Sequence, residues 1–139
     1  MITAAASNTT DRTTLRQLRI KTGIVSRISK DISSYQVEAD IQQQRLDRMK
    51  MEGQDEYDIL KMGQVVQESL MMVPHCVKKL VTARADLESL LETLSDVTVG
   101  DLEAGEETEV ARMIRKAKAQ CDDSTQKIKE HEDSHQQEN

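Results

Sequence analysis

LRIKTGIVSRISKDISSYQVEADIQQQRLDRM, residues 18–49, decides the fold. Leu18, Val25, Ile32, Ala39 and Leu46 recur at every seventh position, and Ile28, Tyr35, Gln42 and Met49 form a second seam offset by three. Spacing that alternates between three and four residues puts both seams on one side of an α-helix, as in a coiled coil. The pattern predicts a helix from about residue 12 to about residue 51, roughly 60 Å long at ~1.5 Å per residue.

Working outward, Gly53 breaks the pattern, and Asp55 is placed to accept hydrogen bonds from the free N–H groups of a following helix. A second series then runs through Ile59, Val66, Val73, Leu80, Leu87 and Leu94, with Met62, Ser69, Cys76, Ala83, Leu90 and Val97 as its partner seam. Leu70, Val77 and Leu91 widen this stripe, so the second helix is expected to touch two neighbours. Ser95–Glu107, with Gly100, Gly105 and a cluster of acids, reads as a connection. A third, weaker series follows in Ile114, Cys121 and Ile128, with Val110, Ala117 and Ser124 beside it. The expected organisation is a flexible leader over 1–10, a bundle over 11–129 and a polar, disordered tail over 130–139. Within the bundle the helices are placed at about 12–51, 55–95 and 106–129. Short links between them give an all-α fold, an elongated antiparallel three-helix bundle of coiled-coil character.

Composition agrees. Five Gly and one Pro in 139 residues cannot supply the turns a sheet protein of this size requires. Tyr35 and Tyr57 are the only aromatic residues. Net charge is −6, but residues 11–30 carry six bases against Asp11 alone, while residues 31–139 hold thirteen bases and twenty-four acids. An acidic chain without aromatic stacking platforms argues against nucleic acid as a partner, although the basic stretch could meet an acidic protein surface. No apolar run is long enough to span a membrane. The acid-poor first thirty residues resemble a transit peptide only superficially, because the core register already begins at Leu18. Cys76 and Cys121 fall on seams and lack metal-ligand spacing, which predicts buried, reduced thiols of a cytosolic protein.

Nothing in the chain assembles a catalytic site. There is no glycine-rich phosphate loop, and no Ser or Thr stands with a base held by a third group. His131 and His135 are one helical turn apart, but a tail without apolar support cannot hold metal-ligand geometry cheaply; no metal or cofactor is expected. His75 reads as a surface residue. The informative residues are those that violate the bundle pattern. Lys21 occupies a seam position, and Gly23, two residues on, costs a helix about 1 kcal/mol relative to Ala. In the second helix, Met71 falls outward in a row with Tyr57 and Gln64, Met72 flanks it, and Pro74 interrupts the hydrogen-bond ladder, where a bend is expected. Thioethers suit adaptable partner surfaces, but methionines also close gaps beside an ordinary kink; both readings stay open.

At these residues the chain resembles the tubulin-binding cofactor A family, the tubulin-specific chaperones A. The matching stretches are LRIKTGIVSRISKD at 18–31, EYDILKMGQVVQESLMMVPHC at 56–76 and ARADLESLLE at 83–92. The KTG tripeptide, the Tyr57-Asp58 pair and Gln67-Glu68-Ser69 ahead of Met72 and Pro74 are the specific parts. The resemblance spans about residues 15–95 and continues weakly through EETEVARMIRKAKA. It implies a three-helix cytoplasmic, cytoskeleton-associated protein that takes β-tubulin after chaperonin release and holds it for αβ-heterodimer assembly. It also implies no cofactor, no reaction, and a monomer or homodimer. The leader and the eighteen residues after Cys121 depart from the family pattern. The alternative is a generic helical-bundle adaptor, spectrin-like or syntaxin-like. The first would normally bury tryptophan and the second precede a membrane anchor, and neither feature is found. Candidate partner-binding residues are Tyr57, Glu68, Met71, Met72 and Pro74, with Lys21 and Gly23 as a secondary set.

Overall fold

The structure, a computed structural model, describes residues 3–94 and 109–137, with side chains from 12 to 94 and from 109 to 134. It consists of helices α1 (Thr3–Met51), α2 (Glu56–Thr93) and α3 (Glu109–Gln137), and no strand occurs among the described residues. The 49 residues of α1 extend about 73 Å at ~1.5 Å per residue. The connection expected at Ser95–Glu107, and seam residue Val97 with it, lie outside the described residues.

Both seams of α1 face inward. Leu18, Val25, Ile32, Ala39 and Leu46 are buried, and Ile28, Tyr35, Gln42 and Met49 are half-buried. In α2 the buried residues are Val66, Ser69, Val73, Cys76, Val77, Leu80, Leu87 and, just past its end, Leu94. α3 contributes Ile114, Ala117, Cys121 and Ser124. Both cysteines are free and buried.

The link between α1 and α2 is set by Gly53, whose φ of 66° lies in the left-handed region. Its N–H donates to the Lys50 carbonyl (3.2 Å), and the Gln54 N–H donates to that of Met49 (3.1 Å). These two bonds are the Schellman arrangement, which satisfies carbonyls the helix end would leave open and which glycine reaches without a Cβ clash. Asp55 stands at the N-cap of α2 as expected, but its side chain makes no capping bond. Its backbone carbonyl accepts from the Ile59 N–H (3.0 Å), and Glu56 and Asp58 bring negative charge to the positive end of the helix dipole.

Cross-helix contacts give an up-down-up bundle. Arg19 pairs with Glu109 (2.7 Å), and Lys127 Nζ donates to the Ser29 carbonyl (2.8 Å) and to Ser33 Oγ, so α3 runs parallel to α1. α2 runs antiparallel to both, tied to α1 by Ser69 Oγ donating to Gln42 Oε1 (2.7 Å) and to α3 by Arg84 donating to Thr125 Oγ1. One contiguous core spans Leu18–Ile32, Val73–Leu94 and Ile114–Cys121. Ala39, Leu46 and Val66 are buried outside it, in an arm formed by the end of α1 and the start of α2.

Two boundaries differ from the sequence reading. Residues 3–10, expected as a flexible leader, are the first turns of α1, and the expected tail is helical as far as Gln137. The reason is the same at both ends. Neither stretch contains Gly or Pro, and Ala4–Ala6 are strong helix formers, so lack of apolar residues removes burial without breaking the helix. Near the tail, Gln126 donates to Glu130 one turn on (3.4 Å), and Ser134 Oγ donates to the His131 carbonyl (3.1 Å). α2 also runs through Pro74 as one helix.

Candidate functional site

The half of α2 beyond the main core carries a run of outward apolar side chains. Tyr57 and Leu60 are each 61% exposed and Met71 69%, with Leu70 and Val65 also exposed. Their positions explain why. Tyr57, Gln64 and Met71 are one heptad apart and lie opposite the Ile59–Val66–Val73 seam, while Leu60, Gln67 and Pro74, also one heptad apart, stand about 100° round the helix from it. From Tyr57 to Pro74 the stripe is about 26 Å long by the helical rise. Charge appears only at its flank, where Lys61 Nζ sits 5.2 Å from the Tyr57 ring centre and Glu68 is exposed.

Glu68 and Met71 share a shallow groove of 630 Å³ with Leu60, Gly63 and, from α1, Leu46 and Lys50. Glu68 also borders a second groove of 520 Å³ on its other side, with Arg45, Met49 and Met62. It therefore forms the crest between two depressions. A Cβ added to Gly63 would meet nothing within 4 Å, so this glycine opens the outer groove and does not admit another helix of the chain. Met72 is half-buried, and its side chain belongs partly to the packing. Pro74 is exposed; lacking an N–H, it leaves the carbonyl of exposed Leu70 without its usual donor four residues on.

Tyr57, Glu68, Met71 and Pro74 thus lie on one accessible face, with Met72 at its edge. Lys21 and Gly23 belong elsewhere. Lys21 is half-buried in α1, and Gly23 lines a separate groove between α1 and α3. Sequence reasoning missed Leu60 and Gly63. The signal for Leu60 was available, since it stands one position off the seam and shares the row of Pro74.

No group of three or more His, Cys, Asp or Glu residues is arranged to hold a metal among the described residues. His75 is exposed, as expected, and His131 is half-buried, while the His135 side chain lies outside the described residues. No helix among the described residues is long and apolar enough to cross a membrane. Burial holds the Cys121 thiol above its ordinary value, with Glu88 adding to the shift and Arg84 opposing it, so the protonated, unreactive form is favoured.

A three-helix bundle with an uncharged, outward helical stripe defines a class, the helical binding proteins. Comparison with known proteins narrows it. The profile of the family described as tubulin binding cofactor A matches residues 13–114. The chain is 43% identical over 100 residues to the tubulin-specific chaperone A of Gallus gallus and 39% to that of Homo sapiens, in each case covering 72% of this chain and 88% of the relative. The crystal structure of tubulin folding cofactor A from Arabidopsis thaliana superposes with a TM-score of 0.69 at 35% identity, covering 83% of this chain and 98% of that one. The human tubulin chaperone cofactor A gives 0.62 at 33%, covering 81% and 98%. The chain belongs to the tubulin binding cofactor A family, a family of non-enzymatic tubulin-folding chaperone cofactors. That membership replaces the spectrin-like or syntaxin-like adaptor as the reading of the bundle.

Proposed function

We propose that this protein acts in the cytosol as a tubulin-folding cofactor, capturing β-tubulin after chaperonin release and holding it for assembly with α-tubulin. Capture is non-covalent and uses the outer face of α2 around Tyr57, Glu68, Met71, Met72 and Pro74, with Lys21 and Gly23 of α1 as a secondary contact. The observation that carries this reading is the exposed stripe of Tyr57, Leu60 and Met71, which contributes nothing to the chain's own core and falls inside the stretch matched by the family. Large uncharged side chains around a shallow groove are the anchors from which protein interfaces draw most of their energy.

The test is a pull-down of purified β-tubulin and of αβ heterodimer, run with Met71→Ser and Met72→Ser separately. Met71→Ser should leave the melting temperature unchanged and weaken β-tubulin capture by about 2 kcal/mol, roughly thirtyfold, as for the loss of an interface anchor. Met72→Ser should lower stability as well, because its side chain is half-buried. Unchanged capture by Met71→Ser would move the site to α1.

A further inference from the structure

We infer that the groove between α1 and α3 is a second binding site, which takes a short, extended acidic segment of a protein partner. The groove encloses 570 Å³. Its floor is made of small residues, Thr22, Gly23 and Ser26, and its walls carry Arg27 and Lys30 from α1 and Lys116 from α3. One carboxylate lines it, that of Glu109, and Arg19 already holds it at 2.7 Å. Among the described residues, no carboxylate forms an ion pair with Arg27, Lys30 or Lys116. Three cations therefore converge on one cleft with no internal neutralisation, in a protein whose net charge is −6.

Two further observations point to an occupant from outside. A Cβ at Gly23 would meet nothing within 4 Å. The helix penalty of this glycine is thus not offset by close approach of another part of the chain, and what its missing side chain provides is width in the groove. The Thr22 hydroxyl, buried on the floor, has no hydrogen-bond partner among the described residues. Beyond Ser26 and Lys30 the cleft continues into a second depression of 590 Å³, lined by Ser29, Ser33, Lys127 and one carboxylate, that of Asp123. The track from Arg19 to Ser33 is about 21 Å along the helix, the span of roughly six or seven extended residues.

Those dimensions and that charge select the ligand. Carboxylates spaced along an extended segment can reach Arg27, Lys30 and Lys116, and the Ser26 hydroxyl and Gln120 amide can meet its backbone. A longer polyanion such as nucleic acid would run onto a chain that carries an excess of eleven acids outside residues 11–30, and it would find no aromatic platform. The groove includes Gly23, the secondary contact of the proposed function, but it lies on a different pair of helices from the α2 face and does not depend on the reading given for that face.

A fluorescein-labelled octaglutamate peptide, titrated with the full chain at about 50 mM salt to limit screening, tests the assignment by anisotropy. Saturable binding is expected. It should weaken about tenfold or more in Lys30→Glu/Lys116→Glu, which reverses charge inside the groove, and in Gly23→Leu, which fills it. Lys78→Glu/Lys79→Glu, on the exposed surface of α2 away from the groove, should bind the peptide like the parent chain. Circular dichroism melting confirms that each variant is folded; should Gly23→Leu melt early, Gly23→Met takes its place. Absence of saturable binding would overturn the proposal, as would equal weakening by the distal pair. An oligothymidylate that binds the same groove as tightly would overturn the assignment to a peptide. β-Tubulin capture by Met71→Ser, measured in parallel, separates failure of this site from failure of the α2 face.

Discussion

Thr22 is 7% exposed, and its hydroxyl finds no partner among the described residues. Such a group forfeits its hydrogen bonds to water and receives nothing in exchange. Thr22→Val keeps the branched shape and removes the unmet polar atom, so unfolding in denaturant should shift to a stability about 1 kcal/mol higher. Cys121 gives a prediction with a pH signature. Because its folded value is raised above the ordinary 9.0, the neutral thiol is the form that fits the fold. Its contribution to stability is therefore complete below pH 9.0 and is lost as pH rises through the elevated folded value. Cys121→Ala should flatten the alkaline limb of a stability–pH curve, and native Cys121 should resist alkylation at neutral pH. That both cysteines pack in the core was legible from seam position alone. The isolation of the Thr22 hydroxyl was not, since heptad arithmetic places apolar side chains and says nothing about whether a threonine's oxygen finds an acceptor.

At the scale of the element, legibility follows the source of each helix's stability. α1 and the first part of α2 were readable because apolar residues at seven-residue spacing record which face is buried. The final turns of α3 were not, because they persist on intrinsic propensity and local pairs such as Gln126–Glu130, which leave no apolar trace. The covering of α1 by α3 was hidden for a related reason. The α1 face concerned is Thr22, Ser26, Ser29 and Ser33, and its ties are polar, notably Lys127 to Ser29 and Ser33. The partner face of α2 was partly readable, in Met71 and Pro74, because both depart from the seam. Helical continuation past Lys129 does not make that segment important for stability. Glu130, Glu132, Asp133 and Ser134 are exposed, and the apolar series of α3 ends at half-buried Ile128. A chain truncated after Lys129 should melt within about 3 °C of the full protein, a shift corresponding to under ~1 kcal/mol for a domain of this size. A larger drop in a calorimetric scan would show that His131, half-buried, anchors the last turns.

The whole molecule divides into regions of unequal support. Near Leu18, Leu87 and Ile114 three helices share one core, whereas Ala39, Leu46 and Val66 are buried outside that core, in the arm formed by α1 and α2. Near the boundary sits a polar pair, Ser69 Oγ on Gln42 Oε1, in seam positions that an all-apolar interface would give to leucine. A buried polar contact of this kind fixes register at some cost in stability. Opening the arm exposes less apolar surface than opening the core, so it is the cheaper of the two excursions. Native-state hydrogen exchange should therefore show two classes of amide. Those around Ile32, Leu80 and Leu87 should exchange only through global unfolding, and those of α1 beyond Ala39 and of α2 before Ser69 should exchange earlier, with a weaker denaturant dependence. Replacing Gln42 and Ser69 together by Leu should narrow the gap between the classes by slowing exchange in the arm. The proposed tubulin-facing stripe, Tyr57 to Met71, lies on this less supported arm, where side chains and helix can adjust to a partner while the three-helix core stays closed. β-Tubulin bound there should slow arm exchange towards the core value. Binding that protected only the α1–α3 groove would put the principal contact on the basic start of α1 instead.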